Sequence, residues 1–180
     1  METIALFGGS FDPPHIGHRA IVEHLLELDF IDKVVVMPTY LNPFKHKIFA
    51  DGTLRVDWLR KIFKKNDDVI VSTFEVDMGR KVASIESVEY LLKSYKKVYL
   101  VIGADNLSSL SKWKDFEKLS SLVEFIVASR DGVKIEDKYI KLPLSESISS
   151  SSLRERMQRE KLPQECAVEI EKFYKDINER

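Results

Sequence analysis

One cysteine, Cys166, stands among 180 residues, so an internal disulfide is excluded and a reducing compartment is expected. No apolar run approaches the roughly 20 residues that a membrane helix requires. The first residues carry no basic leader, apolar signal core or cleavage site and open directly into a strand pattern, so the expected location is cytoplasmic. Charge of either sign is not in excess. With 28 Lys and Arg against 29 Asp and Glu, the net charge of -1 sets up no global field for a polynucleotide partner, and none is expected. Four histidines and one cysteine supply no cluster with a third ligand at a zinc-like spacing, so no protein-held metal is expected. The 44% hydrophobic content suffices for a core, and neither repeat nor linker divides the chain, so one domain spanning 1–180 is expected.

Glycine is also scarce, at seven residues, yet two of them stand side by side at Gly8 and Gly9. They follow the apolar run Ile4-Ala5-Leu6-Phe7 and open the string Gly-Gly-Ser-Phe-Asp-Pro-Pro-His-Ile-Gly-His over 8–18. A buried strand handing over to a turn and then to a helix opening near Gly17 is an arrangement that holds a nucleoside triphosphate. The first turn of a helix has unpaired N–H donors and partial positive charge, and small residues let the main chain approach an anion closely. The string lacks the Gly-Lys-Ser/Thr ending of a Walker loop and the Gly-x-Gly-x-x-Gly spacing of a dinucleotide loop. His15 and His18 instead offer N–H donors to phosphate oxygens on which charge builds during reaction, which points to chemistry at phosphorus. The plainer alternative is a pair of surface histidines beside a proline turn.

Short apolar, β-branched runs alternate with helical patterns, the signature of parallel βαβ units. Strands are expected over 3–7, 33–37, 69–74, 98–102 and 123–128, and helices over 18–28, 53–64, 85–94 and 116–120. Such strands are covered on both faces, giving a doubly wound parallel α/β sheet whose ligands bind beyond the carboxyl ends of the strands, where strand order reverses. After 148 the pattern turns helical only. Ile148-Ser149-Ser150-Ser151-Ser152-Leu153-Arg154 reads as a serine-capped helix start, a second phosphate-binding arrangement within reach of Arg154, and a last helix follows over 163–174. The longest irregular loop, 39–52, is expected to be functional or disordered.

The pattern His15-Ile16-Gly17-His18 resembles the H-x-G-H nucleotidyltransferase superfamily, whose members attack the α-phosphate of ATP with loss of pyrophosphate. Class I aminoacyl-tRNA synthetases share it, but 180 residues leave no room for their tRNA-binding domains. Joined to the late Ile-Ser-Ser-Ser-Ser-Leu-Arg, the string closely resembles the bacterial nicotinate-nucleotide adenylyltransferase family. Ser151 replaces the family's Thr and Leu153 its Ile.

The resemblance implies a Rossmann-like nucleotidyltransferase fold with C-terminal helices. It also implies joining of nicotinate mononucleotide to the AMP part of ATP, with Mg2+ entering on ATP. His15 and His18 would bind the α- and β-phosphates, with Arg154 as a third catalytic group. Gly8, Gly9, Ser10, Phe11, Gly17, Ile148, Ser149, Ser150 and Ser151 would border ATP. In Pro38-Thr39-Tyr40-Leu41-Asn42-Pro43-Phe44-Lys45-His46-Lys47, Lys47 is the better match to the family's basic residue and Lys45 a second candidate for the mononucleotide. Gly103 would allow close approach, and Asp105 would bond a ribose or cap a helix. Trp113 would stack on the pyridine ring or else belong to the core. Ser84 stands where the family has Thr, Ala83 replaces an aromatic residue, and Asp131, after Arg130, takes a proline position. Nicotinamide mononucleotide and phosphopantetheine are rival acceptors, a non-catalytic nucleotide sensor is a rival class, and the oligomeric state is open.

Overall fold

A computed structural model describes residues 1–43, 45–144 and 148–179. Phe44, in the proline-containing loop, lies outside them. Six parallel strands form one sheet: β1 (Thr3–Gly9), β2 (Lys33–Pro38), β3 (Val69–Val71), β4 (Lys97–Gly103), β5 (Val123–Ala128) and β6 (Ile140–Leu142). Their order is β3-β2-β1-β4-β5-β6, a doubly wound arrangement in which strand order reverses between β1 and β4. The helices are α1 (Ile16–Leu26), α2 (Gly52–Phe63), α3 (Phe74–Met78), α4 (Ser84–Leu91), α5 (Phe116–Leu122), α6 (Ser150–Glu155) and α7 (Ala167–Asn178). None of the described helices is long and apolar enough to cross a membrane.

Period-two alternation along each central strand divides the core. Ala5, Phe7, Val34, Val36, Tyr99, Val101 and Ile126 point to one face and pack with Val22 and Leu25 of α1, Trp58, Leu59 and Ile62 of α2, and Ile170 of α7. Ile4, Leu6, Val35, Met37, Val98, Leu100, Phe125 and Val127 point to the other and pack with Ile85, Val88 and Leu91 of α4 and Leu119 of α5. Each fully buried aliphatic side chain contributes about 1.5–3 kcal/mol, so both faces must be covered before the sheet is stable.

The expected strands are present, with three differences. The run over 69–74 is strand only to Val71, because Ser72 Oγ accepts the Phe74 N–H at 3.3 Å and Thr73 Oγ1 donates to Asp77 at 2.6 Å, which turns the chain into α3. The edge strand β6 has no counterpart among the expected strands: its three residues are paired with 126–128 and carry a lysine in the middle. Gly8 and Gly9, expected in a turn, continue β1 opposite Met37 and Pro38.

One buried polar cluster fixes the loop after β1. Arg55 of α2 is fully buried and donates to the carbonyls of Ala50 at 2.9 Å, Ser10 at 2.7 Å and Tyr40 at 3.3 Å. Arg55→Met should leave these carbonyls without their donor and lower stability by about 2–4 kcal/mol. Urea denaturation with an unchanged m-value would measure the loss; a variant as stable as the parent would show that the cluster does not hold the loop.

Candidate active site

The carboxyl ends of β1, β4 and β5 open onto a cleft of about 720 Å³. At its floor the loop after β1 enters α1. His15 is the N-cap, in extended conformation, and its backbone N–H donates to His18 Nδ1 at 3.1 Å. His18 occupies the third helical position, where a Glu or Gln side chain often reaches back in the same way, and this explains the three-residue spacing of the histidines. The two rings stack with centroids 3.6 Å apart. Because Nδ1 of His18 accepts, its neutral form carries the proton on Nε2, a donor left for a ligand.

Burial, and then the charge of Arg130, lowers the His15 pKa from 6.5 to about 4. Burial, followed by His15, Lys45 and Arg130, holds His18 well below its ordinary value. Both imidazoles are therefore neutral at pH 7 in the unliganded protein. His15 Nδ1 is buried without a hydrogen-bond partner among the described residues.

Phe11 has φ of 48°, a strained conformation for an aromatic residue, and its ring meets His18 edge-on at 4.7 Å. A Cβ on Gly17 would come within 3.0 Å of His15 Nδ1, so glycine there leaves room for the ring stack rather than for a special backbone angle.

The late serine motif docks on this loop. Ser149 caps α6 by accepting the Ser152 N–H at 3.1 Å, and Ser150 Oγ donates to the Pro13 carbonyl at 2.8 Å. Gly8, Gly9, Ser10, Phe11, His15, Gly17, His18, Gly103, Asp105, Ile148 and Ser149 to Ser151 all line the cleft, as do Lys45, Ser84 and Trp113. Trp113 also packs against the core beneath α4 and α5, as the alternative expectation for it had it. Asp105 caps no helix; it accepts from Arg130 at 2.9 Å.

Arg154 and Lys47 stand differently from the other expected residues and are not among the cleft's described lining. Arg154 donates to the Asp12 carbonyl and to Ser151 Oγ, and its guanidinium lies 4.8 Å from the Phe49 ring centroid. The Lys47 ammonium lies 4.7 Å from the same ring. Lys45, the second candidate, is the lysine in the cleft, with Nζ donating to Ser10 Oγ at 3.3 Å and its pKa lowered first by burial and next by Arg154. A turn from Asn42 to Lys45 aims it inward.

Arg130 and Glu75 also line the cleft, and neither was among the expected site residues. Arg130 follows β5 and carries the charge that both histidines sense. Glu75 of α3 is buried, with Oε1 accepting from Ser87 at 2.7 Å and Oε2 without a partner among the described residues. Burial, against the Ser87 hydrogen bond, pushes it up to about 7. Only the Arg-containing stretch at 129–132 offered a signal; Glu75 offered none.

Residues 6–156 match the cytidylyltransferase-like family model. A Sulfurimonas denitrificans protein named "Probable nicotinate-nucleotide adenylyltransferase" is 56% identical over 176 residues, covering 98% of this chain and 97% of that one. The chain belongs to the nicotinate-nucleotide adenylyltransferase family. Other members, from Nitratiruptor sp. and Campylobacter jejuni, are 49% and 45% identical over 96% and 97% of the chain and 98% and 97% of their own lengths. The fold agrees: Plasmodium falciparum nicotinic acid mononucleotide adenylyltransferase complexed with NaAD superposes with a TM-score of 0.74 at 19% identity, covering 99% of this chain and 96% of that one.

The histidine pKa values set a pH dependence. His15 titrates near 6.5 when unfolded and about 4 when folded, so between these values the unfolded state binds more protons and stability falls as pH drops. His15→Gln should remove about 3 kcal/mol of that loss. Urea midpoints between pH 7 and 4 would show the shallower slope; parallel profiles would show that His15 is not buried neutral. Gly17→Ala should separate the ring stack and lower turnover about tenfold or more with little loss of stability, since a misplaced group of this kind costs rate rather than folding.

Proposed function

We propose that this chain transfers the adenylyl group of ATP to nicotinate mononucleotide, giving nicotinate adenine dinucleotide and pyrophosphate. The observation that supports this reading most is the stacked, neutral histidine pair at the N-terminus of α1, beside the strand-order reversal and facing the serine-capped α6. The names of relatives up to 56% identical over nearly the whole chain support the acid form of the acceptor.

An oxygen of the mononucleotide 5'-phosphate attacks the α-phosphorus as the bond to the β-phosphate oxygen breaks, and pyrophosphate leaves from the opposite side. The nucleophile is already an anion, so the protein supplies no covalent group and no base. Its work is to align two polyanions and offset their repulsion. His15 and His18 donate N–H groups to oxygens that gain charge, and the α1 dipole adds to them. Lys45, and Arg154 once released from Phe49, neutralise the polyphosphate.

Among the described residues no group of three His, Cys, Asp or Glu side chains converges on one point. Asp105 is paired with Arg130, and one oxygen of Glu75 accepts from Ser87. These residues fit an Mg2+ held by phosphate oxygens and water, which would add charge neutralisation when bound with ATP. The proposed setting is cytoplasmic, with ATP and a pyridine mononucleotide as the partners.

Pyrophosphate release from Mg-ATP, followed with nicotinate mononucleotide, nicotinamide mononucleotide and phosphopantetheine in parallel, tests the assignment. Release with the acid alone is expected. Release with another acceptor moves the substrate, and ATP binding without release from any acceptor makes the chain a sensor. His18→Ala should lower kcat about 10²- to 10³-fold with a smaller change in KM for ATP, because its contact strengthens in the transition state.

A further inference from the structure

Glu75 of α3 is only 6% exposed, yet it lines the cleft together with Ala83, Ser84 and Trp113. Its Oε1 accepts the Ser87 hydroxyl at 2.7 Å, and its Oε2 is buried without a partner among the described residues. Ser87 is fully buried on α4, one helical turn on from Ser84, so the carboxyl sits beneath the part of the wall where Ser84 enters the cleft. Ala83 and Trp113 pack into one core face with Phe74 of α3, beside Val35 and Met37 of β2, so this wall is apolar apart from Glu75 and the serines. Glu86 of α4 adds negative charge; it is paired with Arg80 at 2.7 Å and senses Lys114, while Asp77 of α3 accepts from Thr73. One hydroxyl donor does not offset the desolvation of a buried carboxylate, so the neutral acid persists up to about pH 7.

We propose that Glu75 is a specificity-determining residue for the acceptor: its buried carboxyl must be uncharged for a pyridine carboxylate to bind at this wall, whereas a carboxamide binds with either form. Two carboxylates across an apolar wall repel each other strongly, because little water lies between them to screen the charges. Binding of the acid therefore draws a proton from solvent onto Glu75, and the proton stays there while adenylyl transfer proceeds elsewhere in the cleft. The amide brings no charge and needs no such uptake. Preference for acid over amide thus weakens as pH rises through the titration of this one group. The proposal rests on the adenylyl-transfer reading in taking a pyridine mononucleotide as the ligand.

Calorimetric titration of the full chain with nicotinate and nicotinamide mononucleotides, without ATP, tests this independently of turnover. The 5'-phosphate titrates alike in both ligands, so it cancels in the ratio of their dissociation constants. Between about pH 6 and pH 8.5 the ratio of amide to acid should fall about tenfold in the parent, the size set by two like charges several Å apart at a partly solvated site. Glu75→Gln keeps an acceptor for Ser87 and cannot ionise, so its ratio should stay at the parent's low-pH value. Ser87→Ala removes the donor that favours the charged form, so the fall should move to higher pH. At about pH 7.5, titrations in buffers of different ionisation heat should show the parent taking up about half a proton more than Glu75→Gln on binding the acid. A flat ratio in the parent, a fall that persists in Glu75→Gln, or equal proton uptake by the two overturns the proposal. Binding with the expected pH dependence but no pyrophosphate release supports the proposal and sinks the transferase reading alone.

Discussion

The carboxylate of Asp12, almost wholly buried, collects donors from segments that are far apart in sequence. It accepts the N–H groups of Phe49 at 2.9 Å and Ala50 at 3.0 Å and the hydroxyl of Tyr174 from α7. Its own carbonyl accepts from Arg154 of α6. A buried carboxylate that loses one donor keeps its desolvation cost, so its three contacts stand or fall together. Burial, and then the negative charge of Asp12 and the hydrogen bond to it, hold the Tyr174 phenol well above its ordinary range, which keeps it a donor. The position of the histidines, the seat of α6 and the start of α2 all follow from this one group.

Around that anchor the cleft is assembled in an uncompensated state. His15 is buried and His18 half-buried, and desolvation together with the facing cations disfavours the charged form of each. Those cations have weak partners, a serine hydroxyl for Lys45 and a half-exposed carboxylate for Arg130, while Arg154, outside the cleft lining, is held by carbonyl, hydroxyl and ring contacts. In the proposed reaction a polyanion takes over these groups. Donors fixed before the reaction need little reorganisation during it, which is the condition under which such contacts accelerate phosphoryl chemistry.

The sheet and the two cleft-lining motifs were legible because each is written locally. Apolar runs such as 4–7 and 98–102 read as strands in any context, and the His-x-x-His spacing is the distance from a helix cap to its third residue. Ser149 as a cap follows from the same local chemistry. What could not be read depends on contacts distant in sequence. Strand β6 exists because β5 offers an open edge, not because Ile-Lys-Leu has a strong preference for strand. Lys45 and Lys47 are alike in sequence, and only the turn at Asn42 and the Phe49 ring separate their directions. Glu75 becomes part of the cleft only once α3 and α4 have brought it against Ser87. The Gly8-Gly9 pair shows a further limit: a residue chosen for lacking a side chain looks the same in sequence as one chosen for a left-handed turn.

The bonds from Ser150 to Pro13 and from Arg154 to Asp12 span 137 and 142 positions of the chain. During synthesis the first strand and its histidine loop emerge early, while the segment that closes over them emerges near the end. A ribosome that stalls before α6 therefore releases a product with β1 and α1 but no means of completing the cleft. The cleft is therefore a product of the whole chain, closed only when its last segments return to the loop written first.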